Sequence, residues 1–127
     1  MMKKKVAFIC IHNSCRSQIA EALGKYFLSD KYDFYSAGTQ TKPYIDQDAV
    51  RLIKLLYGID MQKNQYSKTI DKIPMPDIAI SMGCDVGCPF IGKAFDDNWN
   101  LPDPTGKTDD YFIEIIKCIE KKVKSLS

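Results

Sequence analysis

Val6, Ala7, Phe8 and Ile9 form an unbroken apolar run of strand-forming residues, the pattern of a buried β-strand. From Arg16 the period changes, and Ile19, Ala20, Leu23, Tyr26 and Phe27 recur at the spacing of one helical face. A loop of a few residues therefore joins a strand end to a helix start. Tyr32 to Ala37 reads as a second strand ended by Gly38. Pro43 is expected to open a second helix, with Ala49, Leu52, Ile53 and Leu56 as its stripe and Gly58 as its C-terminal cap. Asp60 to Pro76 is polar and mixed, a long loop with one helical turn expected around Ser67 to Ile70. Asp77 to Met82 returns to strand character, and Gly83 breaks it.

A short fourth strand is expected at Lys93 to Phe95, followed by the irregular stretch DDNWNLPDPTGK. The last helix is the clearest element. Thr108 suits its N-cap, Asp109 and Asp110 its first turn, and Lys121, Lys122 and Lys124 its last. Phe112, Ile115, Ile116, Ile119, Val123 and Leu126 form its core stripe, and Cys118 beside them is read as core packing. Strands alternating with helices imply a single α/β domain over residues 1–127: a four-stranded parallel sheet flanked by helices. In such a sheet the strand ends carrying Cys10 and Cys84 share one edge, where ligands bind.

Composition narrows the function. A chain of 127 residues, 45% hydrophobic and 27% charged, has room for one core, and a net charge of +2 is too small to make nucleic acid or an acidic membrane the main partner. No apolar run approaches the roughly 20 residues of a membrane span, and the stretch after Lys3 to Lys5 is too short for a signal peptide. A cytoplasmic monomer is expected. Five cysteines in a reducing compartment point to chemistry rather than a disulfide framework. No metal site is expected, because Cys84 and Cys88 stand as one pair, His12 is the single histidine, and Cys10 and Cys15 belong to the loop.

That loop has the makings of an anion site. Backbone N–H groups converge at a helix N-terminus, where the helix dipole adds positive charge. A Cys10 thiol there, beside the Arg16 guanidinium, is expected to favour the thiolate, the attacking form. The Arg16 fork matches a tetrahedral oxyanion, and the Ser17 hydroxyl is placed to donate to the Cys10 sulfur. Asp103, between Pro102 and Pro104, either starts a turn or serves as a partly protonated general acid. Cys84 and Cys88, on one helical turn, would place their Cα atoms about 6 Å apart, within disulfide range.

Cys10-Ile11-His12-Asn13-Ser14-Cys15-Arg16-Ser17 resembles the C-x5-R-S loop of low-molecular-weight tyrosine phosphatases. With Gln18 it is more similar to the thioredoxin-coupled arsenate reductases built on the same scaffold, and the resemblance runs on through YSAG, GCDVGCP and DPTGK. It implies a flavodoxin-like strand order of the low-molecular-weight phosphatase type. It also implies an oxyanion loop of Ile11, His12, Asn13, Ser14, Cys15 and Arg16. His12 stands where those families usually have glycine, at a place where a positive φ is expected. Cys15 is read as a small buried filler. Thr105 and Gly106 follow the Asp-Pro pair where phosphatases typically place an aromatic wall for phosphotyrosine.

The implied activity is reduction of arsenate to arsenite, with residual phosphatase activity. Cys10 would attack arsenate held by the loop and Arg16, and Asp103 would protonate the departing oxygen. Cys84 would then attack Cys10, and Cys88 would resolve that disulfide, leaving Cys84–Cys88 for thioredoxin or another thiol reductant. No tightly bound cofactor is implied. Asn13, Glu21 and Ser36 match positions that help bind potassium in some arsenate reductases, while Lys68 stands where those place an acidic ligand; either its ammonium takes the cation's place or it is a solvated surface lysine. Two rivals remain at this point. One is a low-molecular-weight protein tyrosine phosphatase using Cys10, Arg16 and Asp103, and the other a non-enzymatic oxyanion-binding redox sensor.

Overall fold

The computed structural model describes residues 3–83 and 91–127. Four strands, β1 (Lys4–Cys10), β2 (Tyr32–Gly38), β3 (Ile78–Ser81) and β4 (Asp97–Asn98), form one parallel sheet in the order β2-β1-β3-β4. Among the described residues three α-helices accompany it: α1 (Arg16–Leu28), α2 (Gln47–Tyr57) and α3 (Asp109–Lys124). This is the flavodoxin-like order, in which β1 is central and the chain leaves it in opposite directions. The crevice at its C-terminal end is the usual ligand position of such a sheet. Cys10 is the last residue of β1.

The unbroken apolar run of β1 is explained by burial on both faces. Val6 and Phe8 join the larger core with residues of all three helices, including Ile19, Leu23, Leu52, Ile53, Phe112 and Ile116. Ala7 and Ile9 face the other way, with Ala37, against Tyr35, Ile70, Ile73 and Phe95. Phe8 sits at the centre of the larger core with its ring centroid 6.0 Å from Phe34 and 5.3 Å from Trp99. Truncating a fully buried phenylalanine of this kind to alanine costs about 3–5 kcal/mol.

α3 follows its sequence signals closely. The Thr108 hydroxyl accepts from the Tyr111 N–H, and Phe112, Ile115, Ile116, Ile119 and Val123 are buried. Cys118 is exposed, so it is not core packing; it falls off the stripe set by its neighbours at 115, 116 and 119. On α1, likewise, Tyr26 is exposed, while the polar residues Ser17, Gln18 and Glu21 are buried.

Two boundaries differ from the sequence expectation. Pro43 does not open α2: Asp46 caps it, its carboxylate accepting from the N–H groups of Asp48 and Ala49, and the helix ends on Gly58 at φ 73°. The fourth strand is not Lys93 to Phe95 but Asp97–Asn98, held beside β3 where the Asp96 carboxylate accepts from the Ala79 N–H. The long loop carries two 3-10 turns, Met61–Lys63 and Ile70–Lys72. Among the described residues no helix is long and apolar enough to cross a membrane.

Candidate active site

A cavity of about 250 Å³ opens at the end of β1, lined by Cys10, His12, Ser14, Cys15, Arg16 and Asp103 among others. Residues 11–15 bridge from the strand to α1. Cys15 holds the N-cap position without a side-chain cap bond, unlike Asp46 and Thr108 on the other two helices. The first N–H groups of α1 therefore face the loop without a capping side chain, the arrangement that suits an anion. The left-handed residue of the loop is Asn13, at φ 49°, and not His12. Asparagine tolerates that region well, so no glycine is required. His12 is half-buried, and its carbonyl accepts from the Ser67 hydroxyl at 2.9 Å.

The Cys10 sulfur lies 2.7 Å from Ser17 Oγ. In the attacking state Cys10 is a thiolate with no proton to give, so Ser17 is then the donor of this bond. Asn13 Oδ1 accepts from the Lys68 backbone N–H at 3.0 Å and from Gln18 Nε2 at 2.8 Å, so Asn13 Nδ2 is turned to donate to Ser17 Oγ at 2.9 Å. With its oxygen already accepting, Ser17 is free to donate its proton to sulfur, which stabilises negative charge there. All members of this chain are buried.

Arg16 is anchored from the far side. One guanidinium nitrogen donates to the carbonyls of Leu101 at 2.6 Å and Met82 at 3.3 Å, while the side chain lines the cavity. Gly83 makes room for it: at φ 121°, a Cβ there would stand 2.9 Å from that same nitrogen. The strand-breaking glycine of the sequence is thus also the wall behind the arginine. Gly38 does the same for the loop, since a Cβ would come within 2.5 Å of the Ile11 carbonyl.

Asp103 lines the cavity and accepts from the Thr105 hydroxyl at 2.6 Å and N–H at 3.0 Å. Burial pushes its carboxyl up, but the two Thr105 bonds and the charges of Arg16 and Lys42 outweigh it and hold the group below the usual carboxylate range. The partly protonated acid expected from sequence is therefore an ionised carboxylate before any substrate binds. Burial pushes the Cys15 thiol well up, aided by Asp46 and Asp103 and only partly opposed by a Thr105 hydrogen bond. Cys15 stays a neutral thiol at the edge of the core.

Asn13, Glu21, Ser36 and Lys68 do converge. The Ser36 hydroxyl donates to Glu21 Oε1 at 2.5 Å, Lys68 Nζ stands 3.5 Å from the same oxygen, and Lys25 reaches Glu21 Oε2. Burial lowers the Lys68 ammonium's pKa, and the adjacent Glu21 offsets part of that. A further cation would have to share Glu21 with an ammonium already beside it, so these residues do not fit a resident potassium ion. Cys84 and Cys88 lie outside the described residues. Sequence reasoning missed Lys42 and Leu101 in the cavity, neither of which carries a local signal.

The low molecular weight phosphotyrosine protein phosphatase family model matches residues 5–127. The chain belongs to this family. Within it, the protein is 37% identical to arsenate reductase 1 of Staphylococcus epidermidis, covering 100% of this chain and 98% of the relative. It is also 37% identical to an arsenate reductase of Staphylococcus aureus over 84% of this chain and 83% of that one. Among solved structures it superposes on an arsenate reductase in the phosphate binding state with a TM-score of 0.83, 29% identity, and coverage of 97% and 95%. An arsenate reductase from Archaeoglobus fulgidus gives 0.82 at 26% identity, covering 95% of this chain and 97% of that one. These likenesses bear out the expected family and scaffold of this phosphatase-family chain.

Proposed function

We propose that the protein reduces arsenate to arsenite. The observation that carries this reading is the pairing of a Cys10–Arg16 oxyanion cavity with full-length similarity to proteins named arsenate reductase. Arsenate sits against the loop N–H groups and Arg16. Cys10 attacks arsenic, and a hydroxyl leaves as water after taking a proton from Asp103. Because Asp103 is ionised beforehand, it acquires that proton as the negatively charged substrate binds nearby.

The Cys84 thiolate then attacks Cys10 sulfur. A disulfide forms, the sulfur–arsenic pair of electrons stays on arsenic, and arsenite departs. Cys88 attacks Cys84 and frees Cys10. The remaining Cys84–Cys88 disulfide is reduced by thioredoxin or a protein dithiol like it, a reading supported by the similar fold of a Corynebacterium glutamicum thioredoxin-dependent arsenate reductase (25% identity, TM-score 0.76). That neighbour is longer: the match covers 98% of this chain and 60% of that one.

Lys68 supplies, from within the chain, the positive charge beside Glu21. Through its own N–H it orients Asn13, and through Asn13 the Ser17 donor. The test is NADPH oxidation by the protein with thioredoxin and thioredoxin reductase. Oxidation that depends on arsenate supports the reading, and its absence together with brisk aryl-phosphate hydrolysis would favour a plain phosphatase.

A further inference from the structure

Among the charged residues lining the cavity, Arg16 and Asp103 cancel formally. A thiolate at Cys10 adds a negative charge, so against an incoming oxyanion with one or two charges of its own only the loop N–H groups and Arg16 supply attraction. Arg16 also spends one nitrogen on the Leu101 and Met82 carbonyls. A further positive charge strengthens that attraction, and Lys42 brings it. It lines the same cavity from the loop between β2 and α2.

That loop is fastened to the anion loop rather than free. The Lys42 N–H donates to Ser67 Oγ at 3.0 Å, and Ser67 donates in turn to the His12 carbonyl. On one side Gln40 N–H donates to the Ile11 carbonyl at 2.9 Å, and on the other Asp46 N–H donates to the Ser14 carbonyl at 2.9 Å. The backbone at Lys42 is thus held on both sides, and the side chain contributes charge without being needed for the fastening. We propose that Lys42 is the second cation of the oxyanion pocket, binding the substrate anion together with Arg16. Its effect falls on binding rather than on the chemical step, because nothing places its ammonium at the reacting sulfur.

The proposal rests on the oxyanion-site reading but not on arsenate turnover, so inorganic phosphate is the probe. Binding of phosphate to the full chain is measured by calorimetry at low and high salt for wild type, Lys42→Gln, Lys42→Arg and, as an equal charge change away from the cavity on α2, Lys54→Gln. Lys42→Gln is expected to weaken binding about three- to tenfold at low salt and less at high salt, with Lys42→Arg near wild type and Lys54→Gln unchanged. In arsenate turnover the same variant raises KM with kcat within about twofold. Equal phosphate affinity in wild type and Lys42→Gln would overturn the proposal, as would equal losses in Lys42→Gln and Lys54→Gln. Lys42-dependent phosphate binding without arsenate turnover would uphold Lys42 and remove the reductase reading instead.

Discussion

Lys68 Nζ lies 3.5 Å from Glu21 Oε1, and both side chains are buried. A buried ammonium is tolerated only with such a partner. Replacing it with methionine should cost about 1–3 kcal/mol, less than for a lone buried pair, because Lys25 still reaches Glu21. Wild-type activity should be the same in potassium and sodium. Lys68→Ser should become potassium-responsive, with a higher melting temperature in potassium than in sodium. Strong potassium stimulation of the wild type would show that the lysine does not replace a cation.

Ser17 Oγ accepts from the Asn13 amide and keeps its own proton for a Cys10 thiolate. A hydrogen bond to a charged group contributes about 1.5–3 kcal/mol, so Ser17→Ala should slow the first chemical step about ten- to hundredfold. The pre-steady-state burst of phenol from an aryl phosphate, which is released as Cys10 attacks, would measure it. An unchanged rate would mean that the loop N–H groups suffice.

Gly83 stands where a methyl group would meet the Arg16 guanidinium. Gly83→Ala should weaken phosphate binding while far-UV circular dichroism stays native, and a φ of 121° adds strain of about 1–3 kcal/mol. Phosphate affinity equal to wild type would place the arginine's support elsewhere.

Asp103 is held below the usual carboxylate range in the free protein. Its lowered value means stability gained above the unfolded carboxylate's pKa and lost as pH falls through the folded one, so Asp103→Asn should flatten that acid limb. In catalysis the proton must be present. The basic limb of kcat should therefore lie at higher pH than that of kcat/KM, because the bound anion raises the carboxyl's affinity for a proton. Coincident limbs in the pH profiles would argue that the proton comes from the substrate.

β1 and α3 were legible because each carries a redundant local signal, an uninterrupted apolar run or a 3.6-residue stripe with caps, and α1 because its stripe of Ile19, Ala20 and Leu23 follows directly on the loop. The Cys10 to Ser17 loop was legible for the same reason, lying between a clear strand and a clear helix. Residues 39–46 were not. Proline is a good local start signal, yet this segment spends hydrogen bonds on the anion loop through Gln40 and Asp46, and on Ser67 through Lys42, and the helix waits for Asp46 to cap it. Lys42 was invisible for that reason, since its place in the cavity is fixed by contacts with residues about 25 to 30 positions away. Asp97–Asn98 was missed because two edge residues carry no alternation; the Asp96 carboxylate and the Ala79 N–H set their register.

The relay is tested most directly in Cys88→Ser, whose resolving thiol is gone. After arsenate is added, intact-mass and peptide mapping should show about one arsenite released per protein and a Cys10–Cys84 disulfide accumulating. In parallel, Cys10→Ser should be inert, and Cys84→Ser should keep slow aryl-phosphate hydrolysis without arsenate turnover. Repeated arsenate turnover in both Cys84→Ser and Cys88→Ser would contradict the intramolecular relay and assign attack on the Cys10 adduct to an external thiol.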